Sequence, residues 1–446
     1  MISAGRVIHH SVAPRPFVFR TSPPEAKAPF SQTRLRSTGK ASISRSIPTT
    51  SAIRTAPHTS FLSLSENPTS QVRPRSRSRS VVTSSATAAK MPSASLTTPP
   101  PLPPGKDRHH IVVLEGIHAE MPPFDFPHTI DIHPRTAPSQ VSERIKDATI
   151  VIACVVPVTP KDMDNAPHLG VLAVMAVGIQ WVDKKDCARR GVTVTKCPAG
   201  NVDAVTEHFL GLYFAARRRV VQVHNTVTRT SDWIEKGTLT KLWPGGPPMG
   251  AGQETLGIMG YGTLGTRIEK LAKAVGFKEV LISERKNSPT VRAGRVGFEE
   301  ALKRSTVLVL CLPKDHDTIN MIGEGELRAM RKEALLINVA RGGIVNERAL
   351  AKMLKEGWIA GAATDVLETE PAGPGTSPLI PDVAKGEEEV PNLIITSHLA
   401  WFTQSTIQNY QRLLKEGIEG WVNGTLQQGE DKVHKVVVVH NGTIWN

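Results

Sequence analysis

From His109 onward, short β-branched apolar runs alternate with amphipathic stretches. HHIVVLEG (109–116), TIDIH (129–133), ATIVIACV (148–155), VLAVMAV (171–177) and VTVTKC (192–197) predict strands, and SQVSERIKD and DKKDCARRG predict helices between the later ones. A second set begins at Leu256: LGIMG, EVLISE (279–284), STVLVLCL (305–312), ALLINVA (334–340), AGAATDV (360–366) and NLIITSH (392–398), with helical FEEALKR and NERALAKMLKEG between several of them. Parallel strands covered on both faces should be apolar throughout, and these are. The pattern predicts an α/β protein of two doubly wound, Rossmann-like lobes. A long helical pattern at 202–220 leads from the first set toward the second. Another, at 404–422, carries Ile407, Leu414, Ile418 and Trp421 on one stripe and leads back. The most economical arrangement makes a discontinuous first lobe from 107–203 and 402–446, with the second, 204–401, inserted as a unit. The cleft between the lobes is then the default ligand site.

Ahead of this body, residues 1–106 show neither periodicity. They are rich in Ser, Thr, Pro and Arg, end in TTPPPLPPG, and read as a disordered leader. Charge changes the picture here. The 446-residue chain has a net charge of +13, which by itself suggests a nucleic-acid partner. The leader, however, holds 15 Lys/Arg against only Glu25 and Glu66, so it carries all of that excess and the body is neutral. The reading is therefore no nucleic-acid partner. An Arg- and Ser-rich, nearly acid-free N-terminus has the composition of a mitochondrial transit peptide, while Met91 offers an alternative start for a shorter cytoplasmic form.

Cys154, Cys187, Cys197 and Cys311 are scattered without a CxxC pair, which points away from a disulfide framework or a structural metal site. The longest apolar stretch, ATIVIACVVPV (148–158), is about half of the ~20 residues a spanning helix needs, so no membrane role is expected.

Candidate chemistry starts at GYGTLG. Gly260, Gly262 and Gly265, with Thr263 and Leu264 between them, follow the predicted strand LGIM and open the helical TRIEKLAKAVG. In that setting the glycines permit a tight turn, close approach of a diphosphate and close helix–strand packing. The fingerprint also requires an acid at the end of the next strand, and Glu284 ends EVLISE. Its carboxylate can accept from ribose hydroxyls and would repel a 2′-phosphate, which favours NAD. Arg285 and Lys286 follow at once and can attract that phosphate, so NADP remains the alternative.

With these residues in place, the stretch from about Arg108 to Gly424 resembles the D-isomer-specific 2-hydroxyacid dehydrogenases. GIQWVDKKDCARRGVTV, NVDAVTEH, LGIMGYGTLG, INVARGGIVNERAL, AATDVLETEP and SHLAW follow one another in the family's order, and HLAW and SERK look most like the glycerate dehydrogenase (hydroxypyruvate reductase) branch. The resemblance implies a catalytic set of Arg341 binding the substrate's carboxylate and ketone oxygen, His398 as acid/base, and Glu370 as its partner. It places Asp365 near the nicotinamide carboxamide and gives the backbone N–H groups of Val177 and Gly178 the substrate carboxylate. It also implies a homodimer, with an extended arm near 224–250.

These residue types suit reduction of a 2-keto acid. Hydride addition at the ketone carbon leaves charge on oxygen that an acid must quench; an imidazolium can supply the proton, and a neighbouring carboxylate favours its charged form. The arginine fork orients a carboxylate while polarising the ketone. Departures from the branch are Gln180, where many relatives carry aspartate, Val155, where a basic residue is frequent, and the insertion PDVAKGEEEVPN, placed near the cleft mouth. His208 reads as structural. A competing reading from another class is an NAD-sensing corepressor of the same fold, like the C-terminal-binding proteins.

Overall fold

The computed structural model describes residues 101–426 and 435–445. The features read in residues 1–100, including the alternative start at Met91, lie outside the described residues.

Two sheets organise the chain. The first contains β1 (His109–Val113), β2 (His128–Ile132), β3 (Ile150–Ala153), β4 (Val171–Val174) and β5 (Thr193–Thr195), all parallel. The second contains β6 (Thr255–Met259), β7 (Glu279–Ile282), β8 (Val307–Leu310), β9 (Leu335–Asn338), β10 (Gly361–Thr364) and β11 (Leu393–Ile395), also all parallel. Two late strands, β12 (Val437–His440) and β13 (Thr443–Ile444), return to the first sheet, whose order is β13-β12-β5-β4-β3-β1-β2. The second runs β11-β10-β9-β8-β6-β7. Each sheet has an apolar layer on both faces, which is why its strands are apolar at odd and even positions alike.

The β12–β13 hairpin gives the C-terminal run its role. It turns at Asn441–Gly442, both at positive φ, as a tight two-residue turn demands. β12 lies antiparallel to β5 and covers an edge that would otherwise be open, and the buried pair Thr193 Oγ1–His440 Nδ1 pins it at 2.9 Å.

Helix Val202–Arg217 starts between the two strand sets and buries Phe209, Leu212, Tyr213 and Ala216 against the second sheet. It ends where Arg219 adopts a left-handed conformation, and a separate helix, Val220–Arg229, follows. The arm expected near 224–250 thus begins in helix, continued by the short helix Asp232–Lys236, and neither helix buries a side chain. Helix Gln404–Val422 crosses back and seats Tyr410, Leu414, Ile418 and Trp421 in the core that Ile111, Ile150 and Val171 share.

In both sheets the strand order reverses beside the first strand of the set, β1 or β6. Ligands of open parallel sheets bind beyond the carboxyl ends of the strands at such a reversal. GYGTLG follows β6 directly. No helix among the described residues is long and apolar enough to cross a membrane.

Candidate active site

The glycine loop is built as its three roles require. Gly260 has φ +98°, and a Cβ there would stand 2.5 Å from the Cys311 carbonyl oxygen. A Cβ on Gly265 would strike the Gly260 carbonyl, so helix and strand touch there through backbone alone. Gly262 differs, since a Cβ on it would meet nothing within 4 Å. That open position sits immediately before helix Thr263–Val275, whose first N–H groups lack intrahelical partners. The cradle therefore fits a dinucleotide diphosphate.

A cavity of about 340 Å³ opens beside it and draws its lining from both sequence halves: Val177, Gly178, Gln180, Thr263, Leu264, Arg341, Asp365, His398 and Trp401 among others. Arg341 follows β9. Asn338, buried at the end of that strand, shapes its turn by donating to the Arg341 carbonyl (3.1 Å) while accepting from the Ala340 N–H (3.0 Å). Burial pulls the Arg341 guanidinium below its ordinary value, against the opposing effects of Glu370 and Tyr410.

His398 follows β11 at φ +56°, and its Nδ1 lies 2.6 Å from Glu370 Oε2. The other Glu370 oxygen accepts from the Leu367 N–H at 2.7 Å. Burial alone would raise the Glu370 carboxyl. The hydrogen bond and charge of His398, the Leu367 N–H and Arg341 outweigh it and hold the group below its usual range. With Glu370 ionised, Nδ1–H is the donor, and Nε2 is the ring nitrogen left to present a proton.

Asp365, fully buried, sits behind this histidine. Its oxygens take the N–H groups of Leu399 and Ala400 (both 3.0 Å) and the Thr396 hydroxyl (2.6 Å). His208 reaches Thr396 Oγ1 at 3.0 Å and stands 3.5 Å from Asp365. It thus braces the same cluster without lining the cavity.

From the opposite sheet, the turn after β4 brings Gly178 so near Arg341 that a Cβ would collide with Nη2. Among the described residues, neither the Val177 nor the Gly178 N–H donates to a protein acceptor. Gln180 lines the cavity beside them. Val155 does not. The loop from Cys154 to Val156 is tied by all three of its N–H groups to Glu115 Oε2, at 2.8 to 3.0 Å. The insertion contributes no residue to this lining. Val390 packs on the core of the second sheet and Glu388 pairs with Lys355, while Val383 stays exposed.

On the far side of the glycine loop a second cavity, about 510 Å³, is lined by Gly260, Tyr261, Gly262, Glu284, Arg285, Lys286, Arg292 and Arg295, and shares Leu312 and Pro313 with the first. Glu284, expected as the ribose acceptor, has its oxygens engaged within the chain. Arg292 grips both its oxygens (Nε 2.7 Å, Nη2 2.5 Å), and the Arg285 N–H takes Oε1 at 2.9 Å. The Arg292 hydrogen bonds hold the carboxyl far below its ordinary range.

The family described as "D-isomer specific 2-hydroxyacid dehydrogenase, NAD binding domain" matches residues 210–400. A glycerate dehydrogenase of Methylorubrum extorquens is 35% identical over 314 residues, covering 70% of this chain and 95% of the relative. The chain belongs to the D-isomer-specific 2-hydroxyacid dehydrogenases. This dehydrogenase is also similar to a glyoxylate reductase of Thermococcus litoralis, 36% identical over 235 residues, 51% of this chain and 70% of that one. The crystal structure of the TT0316 protein from Thermus thermophilus superposes with a TM-score of 0.58 at 25% identity, over 71% of the dehydrogenase and 97% of that chain. The enzyme is an oxidoreductase that uses a nicotinamide cofactor.

Reading the sequence of the dehydrogenase missed several participants. Asn338 stands inside NVARGG, so its turn-shaping type was a usable signal. Arg292 and Glu115 sit in segments without a motif and carried no signal at all. Trp401, the last letter of SHLAW, lines the cavity and stacks on Tyr410 at 6.0 Å.

Proposed function

We propose that this enzyme interconverts a small 2-keto acid and its D-2-hydroxy acid, with hydroxypyruvate and glyoxylate the favoured substrates. The observation that carries the reading is one cavity lined by the Arg341 guanidinium, the Glu370-backed His398 imidazole and the Val177–Gly178 pair of unpartnered N–H groups. When bound, the nicotinamide supplies the hydride or takes it up. Gly260, Gly262 and Gly265, with Thr263 and Leu264, cradle the dinucleotide's diphosphate. Arg341 orients the substrate carboxylate and polarises the ketone oxygen, and the Val177 and Gly178 N–H groups hold the remaining carboxylate oxygen. His398 Nε2 protonates the oxygen as charge builds on it, while Glu370 fixes the ring tautomer and stabilises the imidazolium. Asp365 holds the loop on which His398 rides.

The test is to mix purified protein with NADH or NADPH and hydroxypyruvate, glyoxylate, pyruvate or phenylpyruvate, and follow nicotinamide absorbance. Turnover of the first two supports the reading; indifference to all four with both cofactors ends it.

The assembly that fits is a homodimer. Ile234 is 88% exposed, and Val220, Val221, Val227 and Trp233 are exposed on the same helices, a face that a second copy would cover. Sedimentation should return twice the chain mass. The leader's composition supports import into mitochondria. N-terminal sequencing of the native protein beyond residue 20 but before Met91 would agree with that, and a start at Met91 would assign the cytoplasm instead.

A further inference from the structure

The 510 Å³ cavity on the far side of the glycine loop contains a charge arrangement that substrate reduction does not require. Recognition of ribose hydroxyls by an acid requires free lone pairs on its carboxylate. A carboxylate offers about four such sites. Glu284 has filled them from within the chain: Oε1 accepts from Arg285 N–H and Arg292 Nη2, and Oε2 from Arg292 Nε and, at 3.3 Å, Arg292 N–H. A ribose could displace these only by breaking a bidentate, charge-assisted pair, the strongest class of side-chain hydrogen bond.

The cations tell the complementary story. Arg292 is 55% exposed and keeps Nη1 free of Glu284. Among the described residues no partner engages the exposed side chain of Arg285. Arg295 lies over the Tyr261 ring at 5.7 Å and within 4.0 Å of Glu284. Lys286 is committed to Glu326 and the Met321 carbonyl. The facing wall brings two acids that keep their charge: Asp315 accepts from the N–H groups of Asp317 and Thr318, and Asp317 Oδ1 lies 3.1 Å from His316 Nε2, but among the described residues neither is bonded to Arg285 or Arg292. Arg285 and Arg292 therefore present open donors to the cavity beside a carboxylate whose own charge is already matched.

We infer that this cavity takes an adenosine bearing a 2′-phosphate, and that Glu284 serves there as the anchor holding Arg292 over the phosphate rather than as the acceptor for ribose hydroxyls. The inference rests on the reading that the cleft binds a nicotinamide dinucleotide, and it makes NADP(H) the preferred cofactor where the acid after β7 suggested NAD. A nearby arginine is the residue type that accommodates a 2′-phosphate in this kind of fold, and the planar fork of Arg292 suits it.

Calorimetric titration of the full chain tests this without turnover. The probes are 2′,5′-ADP against 5′-AMP, which differ only by the 2′-phosphate, and NADP+ against NAD+. The member of each pair that carries the 2′-phosphate should bind at least tenfold more tightly. Arg292→Ala and Arg285→Ala should each remove most of that advantage by weakening the ligand that carries the 2′-phosphate. Glu284→Gln should reduce it in the same direction, because its weaker grip releases Arg292. Equal or tighter binding of NAD+ and 5′-AMP, or an Arg292→Ala protein that keeps its full NADP+ affinity, overturns the inference while leaving the parent reading intact. So does a Glu284→Gln protein that loses NAD+ and retains NADP+, the signature of a ribose acceptor. If neither dinucleotide binds, the parent reading falls and takes this one with it.

Discussion

The backbone N–H of His398 donates to the carbonyl of Asp365 at 2.8 Å, and the Asp365 carboxylate receives the next two N–H groups, those of Leu399 and Ala400. One buried acid thereby holds the histidine in its left-handed conformation. Asp365→Asn keeps the shape but exchanges an acceptor for a donor, leaving a buried N–H without a partner. The expected cost is ~1–3 kcal/mol of stability, read by denaturant unfolding, together with a fall in kcat larger than any change in nucleotide affinity.

His398→Ala removes the proposed proton donor. The rate should drop by ~10²–10⁴, the usual worth of general acid catalysis, with nucleotide binding retained. Steady-state kinetics beside a binding titration separate the two. Unchanged kcat would displace His398 from its role.

Arg341→Lys preserves a positive charge and loses the fork. Removing one charge-assisted hydrogen bond predicts a ~10- to 100-fold loss in kcat/KM. A 2-keto acid panel should show the loss for every member, since all share the carboxylate.

Glu370 titrates below the ordinary carboxylate value because His398, Leu367 and Arg341 overcome the effect of burial. A depressed folded pKa stabilises the protein above the unfolded value, ~4.3 for glutamate, and that contribution is lost as pH falls through the lower folded value. The difference in Tm between wild type and Glu370→Gln should therefore be constant at neutral pH and shrink below about pH 4.3. A difference that persists unchanged into acid would show that the carboxylate's charge is not what stabilises.

Glu254, completely buried, pairs with Arg217 at 2.5 Å, and Arg217 also donates to the Glu333 and Thr306 carbonyls. Glu254→Ala strands a buried guanidinium, and ~3–5 kcal/mol of destabilisation is expected. Replacing both partners with apolar residues should cost much less, a contrast that chemical denaturation resolves.

The strands of the two sheets were legible because burial on both faces leaves continuous β-branched runs, as in ATIVIACV and STVLVLCL. GYGTLG was legible for a similar local reason: three backbone constraints fall within one turn. Less could be read beyond the helical pattern at 202–220: the chain breaks at Arg219, whose left-handed conformation no side-chain type announced, and a separate helix follows. The placing of PDVAKGEEEVPN could not be read because its few apolar residues form no period, and the two contacts it makes, Val390 with the core and Glu388 with Lys355, are tertiary.

By itself, then, the sequence determined the fold class, the strand–glycine–helix cradle and the order of the candidate site residues, all of which depend on periodicity or on residue type at short range. Tertiary structure alone decided which groups meet. Gly178 abuts Arg341 across the cleft because chain segments far apart converge at the carboxyl ends of two sheets. Glu284 was read as free to accept from ribose, yet Arg292, eight positions on in a loop without pattern, occupies it. Lone-pair occupancy depends on where a loop returns and which rotamer it offers, and neither is written in the identity of a single residue.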